Sequence, residues 1–349
     1  MTLRIAAAAV LIAVWTCAAA VAQPPAAPPN PFQPLSAKAA LTDEDRAAIR
    51  KLVAERVEQI KSGSRREAVA ELRDAYAGAS PAFREAYTAI CIELITAAYK
   101  QAEPGPAAQL VVLLTTFNEV PTYRLFVEAL RDERVGVRAS AAIGLRALRA
   151  GIARTGNVPF NEVVEALREA GKRETSAVTL KTIYQALNYP EVVPSPPDPK
   201  ADASAVLEIL EARAKPYAEA KAKAEAAGAD VVGLSVARGL SKQLSDADRN
   251  RLLEAAAMML RWALARYTTE LYKIPDTANP YLLRERNDAE LLIEEGEALL
   301  ASVLAPSGKR PNVTEALQKK SKPEEIRGVW GEWVKLLANA VGKDFSLPE

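Results

Sequence analysis

The sequence predicts an all-α protein with two helical regions, and three observations carry this prediction. Apolar residues recur at three- and four-residue steps through most of the chain after Thr42, which is the spacing of one face of an α-helix. The alternation of apolar and polar residues that is typical of strands does not occur over any useful length. The proline-rich stretch from Pro190 to Pro199 divides the helical part in two. We therefore expect a short, irregular stack of helical hairpins followed by a helical bundle.

Residues 1–22 predict a secretory signal peptide that is cleaved after Ala22. Arg4 supplies the basic start, an apolar stretch begins at Ile5, and the segment ends in small residues at the spacing of a cleavage site. We therefore expect the mature protein in the periplasm or outside the cell. A retained membrane anchor is one alternative, because the apolar stretch is just long enough to span a bilayer. A lipoprotein attached through Cys17 is another.

The composition excludes several classes of function. The 349 residues include no histidine, which rules out serine–histidine and cysteine–histidine nucleophiles, an imidazole general base and histidine-ligated zinc. Loss of Arg4 with the signal peptide reduces the 45 Lys and Arg to 44, which equals the 44 Asp and Glu. This balance argues against nucleic acid as a partner. The mature chain keeps only Cys91, in an apolar run, so we expect a buried thiol and no intrachain disulfide.

Residues 23–40 are rich in proline and offer little apolar surface, so we expect an extended, disordered tether there. The first helical domain is assigned to residues 41–189. Its first helix is expected to begin after Thr42, with Asp45 at the position that closes a capping box. The break at 62–64 (Ser-Gly-Ser) is expected to end this helix.

A short segment recurs inside the first helical domain. Residues 127–132 read VEALRD and return as VEALRE at 164–169, 37 residues later, while a looser copy begins at Val69. Each copy is followed by a turn and a second apolar stripe, which predicts helical hairpins. We expect hairpins at 65–77 with 81–101, at 121–131 with 135–149 and at 159–170 with 174–188, and a further helix at 105–117.

The stretch from Asp132 to Leu148, DERVGVRASAAIGLRAL, resembles the second helix of a HEAT-type repeat, as found in armadillo-like α-solenoids. The resemblance implies that Asp132 caps the helix and that Arg138 reaches an acid of its own or the neighbouring repeat. Small residues such as Gly144 allow close helix approach. The next copy has Thr175 at the place of Arg138, which implies a short and irregular solenoid. A generic helical bundle is the alternative.

Residues 190–202 are expected to form a stiff proline-rich linker, and residues 203–349 a C-terminal helical domain. Prolines remove backbone donors and stop helices, so this segment is the clearest internal boundary. The expected helices are at 203–227 with a kink or break at Pro216, from Ser245 through Tyr272, near 280–304, after a capping box of Asn312 with Glu315, and at about 322–341.

Five acidic residues in the second domain fall in patterns that can form a cation-binding or glycosidase site. Glu290, Glu294 and Glu297 fall on one helical face, where carboxylates can bind a hard cation or act on a glycosidic bond. A solvated face paired with arginines is the better interpretation, because no second acidic cluster is identifiable as its partner. Asp246 and Asp248 begin a pattern similar to a calcium loop, but the required glycine and final glutamate are missing. Helix capping explains them better.

Aromatic and basic residues near the C-terminus also have ordinary interpretations. Trp330 and Trp333 can stack on a sugar or anchor a peptide, but a terminal helix more often uses such a pair to dock onto the core. The basic residues within 309–322 are few and lack interleaved aromatic residues, so we expect no nucleic-acid binding. The sequon at Asn312 matters only in a eukaryotic secretory route, and the Ala- and Arg-rich composition is typical of a bacterial protein.

The sequence thus predicts an exported, non-enzymatic bacterial protein that acts as a protein-binding or peptide-binding scaffold in the cell envelope. It nominates no catalytic, cofactor-binding or metal-ligating residue and no cofactor. After signal cleavage, no integral membrane span is expected. An all-α polysaccharide hydrolase or lyase with paired carboxylates is one alternative, and a structural oligomer of the envelope is the other. The sequence leaves open the oligomeric state and the placement of the two helical domains.

Overall fold

The computed structural model describes residues 30–63, 66–155, 160–188, 197–219, 221–222, 224–304 and 310–348. The predicted signal peptide at 1–22, with Cys17, and the first part of the predicted tether lie outside these residues. Within them all regular elements are helices, so the all-α prediction is confirmed for the described part of the chain. None of the helices in this part is long and apolar enough to cross a membrane.

The described residues form fifteen α-helices, with short 3-10 helices at four of the connections. The α-helices are α1 (Gln33–Ser36), α2 (Asp43–Ser62), α3 (Arg66–Tyr76), α4 (Pro81–Gln101), α5 (Pro104–Leu113), α6 (Tyr123–Ala129), α7 (Val135–Thr155), α8 (Phe160–Arg173), α9 (Ala177–Leu187), α10 (Pro199–Ala218), α11 (Ala224–Leu240), α12 (Asp246–Thr269), α13 (Pro280–Leu304), α14 (Val313–Gln318) and α15 (Pro323–Val341).

Capping residues fix several of these boundaries. Thr42 and Asp45 form the reciprocal capping box at the start of α2, as the sequence predicts. The Ser245 hydroxyl accepts a hydrogen bond from the backbone N–H of Asp248 at the start of α12. These helices therefore begin where a short side chain can satisfy a backbone N–H group that lacks a partner within the helix.

Residues 30–40 pack onto the helices instead of forming the expected tether. Phe32 is fully buried, and its ring meets the ring of Tyr87 edge-on at 5.5 Å between centroids. The Asn30 side chain donates a hydrogen bond to the backbone carbonyl of Glu71 on α3. The tether prediction for 23–40 is therefore wrong for residues 30–40, because Phe32 gives this proline-rich segment a large apolar ring to bury.

The two best copies of the recurrent segment occupy different places in their helices. Residues 127–132 run past the end of α6, whereas residues 164–169 lie inside α8. Asp132 accepts a hydrogen bond from the backbone N–H of Arg134 and so turns the chain after α6. Glu174 accepts two backbone hydrogen bonds in the turn before α9. Helix α8 therefore ends at Arg173, three residues later than the helix expected at 159–170 from the spacing of the copies.

From α6 onward the hairpins pack in two rows. The first helices, α6, α8, α10 and α12, contact one another in chain order, and α15 packs on α12; we call them the first-helix row. The second helices, α7, α9, α11 and α13, contact one another in the same way, with α5 next to α7; we call them the second-helix row. In the expected pair of 65–77 with 81–101, both α3 and α4 pack on α2, and the Tyr87 hydroxyl of α4 donates a hydrogen bond of 2.7 Å to the Leu72 carbonyl of α3.

The packing continues across the predicted linker at 190–202. Helix α10 already begins at Pro199, with Asp198 as its cap, and it packs on α8 while α11 packs on α9. A Cβ atom added to Gly171 of α8 would lie 2.5 Å from the side chain of Ile209 on α10, so a larger residue does not fit there without movement. The helices before and after the linker are therefore docked closely against each other.

Candidate functional site

Arginine–carboxylate pairs hold the turns that precede α7 and α9. Arg138 donates hydrogen bonds to both oxygens of Glu174, at 2.7 and 2.9 Å, and to the backbone carbonyls of Asp132 and Glu133. Arg134 binds both carboxylate oxygens of Asp132 and donates to two carbonyls at the end of α4. Arg138 thus reaches an acid of the neighbouring hairpin, and the two arginines together link three helix ends.

Both carboxylates of this turn network are held in the ionised form. Burial acts to raise the pKa of Glu174, but hydrogen bonds from Arg138 and from the backbone of Ser176 outweigh burial and lower the pKa. Hydrogen bonds from Arg134 lower the pKa of Asp132. Each acid is therefore charged at neutral pH and fully paired with a guanidinium.

A second ion pair, between Arg149 of α7 and Asp202 of α10, joins the helices on the two sides of the predicted linker. Both side chains are fully buried, and one guanidinium nitrogen lies 2.5 and 2.7 Å from the carboxylate oxygens. The guanidinium carbon lies 3.8 Å from the centroid of the Phe160 ring, and the other two nitrogens lack a hydrogen-bond partner among the described residues. Burial raises the pKa of Asp202 to about 7. This enclosed pair has a structural role.

Exposed large apolar side chains concentrate on or next to the second-helix row. In the described residues, those on this row are Val135 and Ile143 on α7, Val178 on α9, and Tyr281, Leu282 and Leu291 on α13. Tyr272, in the 3-10 helix that follows α12, and Leu336 on α15 lie outside the row. Val178 has the largest exposed fraction, 71%. We call the exposed apolar residues of α7, α9 and α13 the second-helix surface, and a surface of this kind marks a candidate interaction site.

Helices α7 and α9 run parallel, which aligns their exposed side chains. The turn network joins their N-terminal ends, and further along both helices Arg146 of α7 donates a hydrogen bond of 2.9 Å to Gln185 of α9. The contacts therefore advance in the same direction along the two helices. Val135 and Val178, both in the first turns, consequently lie along the same edge of the row.

A cavity of about 390 Å³ lies between the end of α12, the start of α13 and α14, and Glu290 and Glu294 line it. Arg286 donates to Asp276 at 2.8 Å and lies 3.7 Å from Glu290, while Lys320 lies 3.2 Å from Asp276. Hydrogen bonds from Arg286 and Lys320 lower the pKa of Asp276. This arrangement is a network of ion pairs and does not favour a pair of catalytic carboxylates.

Glu297, the third acid of the predicted solvated face, is buried, with 6% of its surface exposed. Its oxygens accept hydrogen bonds of 2.6 to 2.8 Å from the backbone N–H groups of Val313 and Thr314, the Thr314 hydroxyl and the Trp333 indole. The prediction of a solvated face is therefore wrong at this position. The carboxylate binds the first turn of α14, which the helical pattern of α13 alone does not place beside it.

Trp330 and Trp333 are core residues, as predicted for the docking of the terminal helix. Both rings are almost completely buried between α15 and the rest of the chain. The Trp330 indole N–H donates to the Phe345 carbonyl at 3.0 Å, and that of Trp333 donates to Glu297. Buried rings with paired N–H groups offer no surface to a sugar or a peptide.

The calcium-loop-like acids have local roles at the start of α12. Asp246 pairs with Arg249, and Asp248 receives hydrogen bonds from the Ser245 hydroxyl and from Arg251. In the described residues no group of three or more acids and cysteines is arranged to hold a metal ion. The cap of α12 is thus the Ser245 hydroxyl, which accepts from the Asp248 backbone N–H, while the two carboxylates pair with side chains.

The other residues singled out in the sequence also have local partners. Asn312 accepts a hydrogen bond from the backbone N–H of Glu315, and Lys319 pairs with the Glu315 carboxylate on α14. Lys309 lies outside the described residues. Cys91 is fully buried, and burial raises the pKa of its thiol, so the predicted buried cysteine is confirmed.

The second-helix surface is the feature that the sequence reasoning missed. Val178 and Leu180 belong to one apolar run, yet Leu180 is buried and Val178 is exposed. Side chains two positions apart on a helix point about 200° away from each other. Helical register was therefore the signal that could have placed Val178 on the exposed face and Leu180 on the buried one.

Comparison with protein-family models, with curated proteins and with solved structures found no match to this chain.

Proposed function

We propose that this chain is an exported bacterial helical-repeat protein, a short and irregular α-solenoid of the HEAT type, that binds a protein or peptide partner in the cell envelope. The two rows of helices support this proposal, because repeat proteins share one core between stacked hairpins in this way. The rows also continue past the predicted linker, so the proposed solenoid includes α10 to α13 and the C-terminal helices pack on its end.

The concentration of exposed apolar residues on the second-helix surface carries the binding proposal. In solenoids, one row of helices forms an extended surface that is available to a partner. Exposed apolar side chains gain free energy when a partner removes them from water. Val178 is the strongest candidate for an anchor, because most of its side chain meets water although it begins a well-packed helix.

The neighbours of these apolar residues favour a protein partner. Arg146 and Gln185 form a hydrogen-bonded pair between α7 and α9, and Lys181 is exposed one turn after Val178. A surface with apolar centres and polar, partly charged surroundings is typical of protein–protein interfaces. A membrane surface or nucleic acid would call for a strong excess of cations, which this balanced chain lacks.

Affinity capture with matched variants tests the proposal. The mature chain, without residues 1–22, is immobilised and exposed to bacterial envelope extract, in parallel with Val178→Glu and Ile143→Glu. We expect the unchanged chain to retain one protein saturably, and each variant to weaken its binding about tenfold or more, because each places a charge in an apolar contact.

Leu336→Glu is the matched control, because Leu336 is an exposed apolar residue outside the second-helix row. This variant is expected to retain the partner with unchanged affinity, and circular dichroism checks that all variants keep their helices. Equal capture by all four chains would overturn the proposed role of the second-helix surface. A dimer of the purified chain that Val178→Glu converts to a monomer would instead assign this surface to self-association.

A further inference from the structure

A small charged cavity lies where α6 and α8 end and α7 and α9 begin. The cavity, of about 270 Å³, lies between the turn before α7 and the turn before α9. The buried residues Leu130 and Ala170 contribute apolar wall, and the remaining lining residues are charged. It is therefore large enough for a small side chain and is lined by groups that select for charge.

Both acids of this cavity are already neutralised. Asp132 is bound by both branches of the Arg134 guanidinium, and Glu174 by both branches of Arg138. Arg138 uses its remaining nitrogen for two backbone carbonyls. These four side chains are thus satisfied and add no net charge to the cavity.

Two further arginines of the lining are left without partners. The Arg131 and Arg173 side chains are exposed, and neither has a hydrogen bond or ion pair with any residue that the structure describes. They give the cavity an excess of two positive charges. The C-terminal ends of α6 and α8 line the same cavity and oppose the dipoles of the N-terminal ends of α7 and α9, so the excess charge comes from the two arginines.

Apolar side chains adjoin these cations. Val135 and Val178 are exposed in the first turns of α7 and α9, directly after the two turns that form the cavity. A guanidinium pairs best with a carboxylate, which accepts two of its hydrogen bonds in one plane. The location therefore combines recognition of an anionic group with an apolar contact.

We propose that this cavity binds an acidic segment of a partner protein, with an Asp or Glu side chain between Arg131 and Arg173 and an adjacent apolar side chain against Val178. The inference rests on the proposed function and adds the chemical class of the partner segment. Positive charge excludes basic segments from this site, because a like charge at close range is repelled.

Fluorescence anisotropy with four short peptides of equal length tests the inference. The peptides combine acidic or basic residues with apolar residues, acidic residues with serine, and serine with apolar residues. We expect the mature chain to bind the acidic–apolar peptide most tightly, with an affinity that falls as salt is raised. The double variant Arg131→Glu with Arg173→Glu is expected to weaken this binding about tenfold or more.

The double variant Arg154→Glu with Lys335→Glu is the matched control, because it changes the net charge equally at exposed positions outside the cavity. It is expected to keep the affinity within about twofold, as for charges beyond a Debye length. Equal loss in both double variants, preference for the basic peptide, or no binding of the acidic–apolar peptide would overturn the inference.

The same variants separate this inference from the proposed function. Capture from envelope extract that requires Val178 but is unaffected by Arg131→Glu with Arg173→Glu overturns the acidic-segment inference and leaves the binding surface in place. Capture that is unaffected by all of these substitutions overturns both.

Discussion

Arg149 and Asp202 illustrate how single residues connect the two parts of this chain. Their charges are fully buried, and each is the other's only counter-ion among the described residues. Removing one partner of such a pair leaves an uncompensated buried charge, whereas replacing both by apolar residues does not. The largest effect on stability is therefore expected when one partner is removed and the other remains as an unpaired buried charge.

At about pH 8, where Asp202 is ionised in the folded chain, we expect Asp202→Leu to lower the free energy of unfolding by about 3–5 kcal/mol, because the Arg149 guanidinium then loses its buried counter-ion. The double variant Arg149→Met with Asp202→Leu should be more stable than Asp202→Leu. Urea unfolding followed by circular dichroism measures both. A double variant that loses as much as the sum of the two single variants would contradict this account of the pair.

The titration of Asp202 predicts a pH dependence of stability. Burial raises its pKa from the ordinary value of 3.8 to about 7, so between these values the folded chain binds a proton that the unfolded chain has released. The contribution of Asp202 to stability is then fully present below about pH 4 and is lost as the pH rises through 7. Asp202→Asn removes this titration.

The stability of the unchanged chain relative to Asp202→Asn is therefore expected to fall as the pH is raised from about 4 to about 7. Urea unfolding at several pH values measures the difference. A difference that stays constant or grows over this interval would show that Asp202 is ionised in the folded chain throughout.

Substitution of Glu297 is expected to lower stability more than substitution of Glu294 on the same helix. Glu297→Gln replaces one acceptor oxygen by a donor that faces N–H groups, so we expect a loss of about 1–3 kcal/mol and a changed fluorescence of Trp333. Glu294→Gln is the matched control, because Glu294 is exposed and should change stability by less than about 0.5 kcal/mol. Similar effects of the two substitutions would contradict the burial of Glu297.

At the scale of helices, close approach depends on small residues. Gly144 of α7 faces Phe126 of α6, and an added Cβ atom would lie 2.5 Å from the ring. Gly328 of α15 has no atom within 4 Å of such a Cβ. An alanine substitution at Gly144 therefore tests the packing of α7 on α6, and one at Gly328 tests helix propensity alone.

We expect Gly144→Ala to lower the free energy of unfolding by about 1–3 kcal/mol, since the buried ring has to move. Gly328→Ala should raise it by about 0.5–1 kcal/mol, because alanine favours the helix and meets no obstacle. Thermal unfolding of the two variants gives the sign of each change. A stabilising Gly144→Ala would contradict the close contact of α6 with α7.

Local sequence predicts the helices well where the decisive contact is local. The cap at Thr42 uses residues three apart, so the sequence contains all of its parts. The end of α6 depends on Asp132 and Arg134, whereas the second hairpin turns at Glu174, which is bound by Arg138 of another helix. Copies of one segment therefore end differently, because long-range pairs select the position of the turn.

At the scale of the whole molecule, the proline-rich stretch predicts a break in the helices but not a break in the packing. Close contacts between α8 and α10 and between α9 and α11 depend on glycines facing bulky side chains, such as Gly233 against Tyr184. Such a match between distant residues is not visible in a single sequence. The same limit applies to the second-helix surface, since exposure of Val178 follows from which neighbours cover α9.

The central claim is that the hairpins on both sides of the proline-rich stretch form one packed structure, on which the extended binding surface depends. The tryptophans of the mature chain, Trp262, Trp330 and Trp333, all lie after this stretch, so their fluorescence reports on the second part alone. Leu145 is fully buried in α7, before the stretch, and Leu145→Ala removes about 2–5 kcal/mol of packing there.

Urea unfolding of Leu145→Ala, followed by tryptophan fluorescence and by circular dichroism, tests this claim most directly. We predict that the substitution lowers the midpoint of the fluorescence transition and that the two signals change together, because loss of packing in α7 is shared by the second part. An unchanged fluorescence midpoint, with a separate loss of helix signal at lower urea, would contradict the claim.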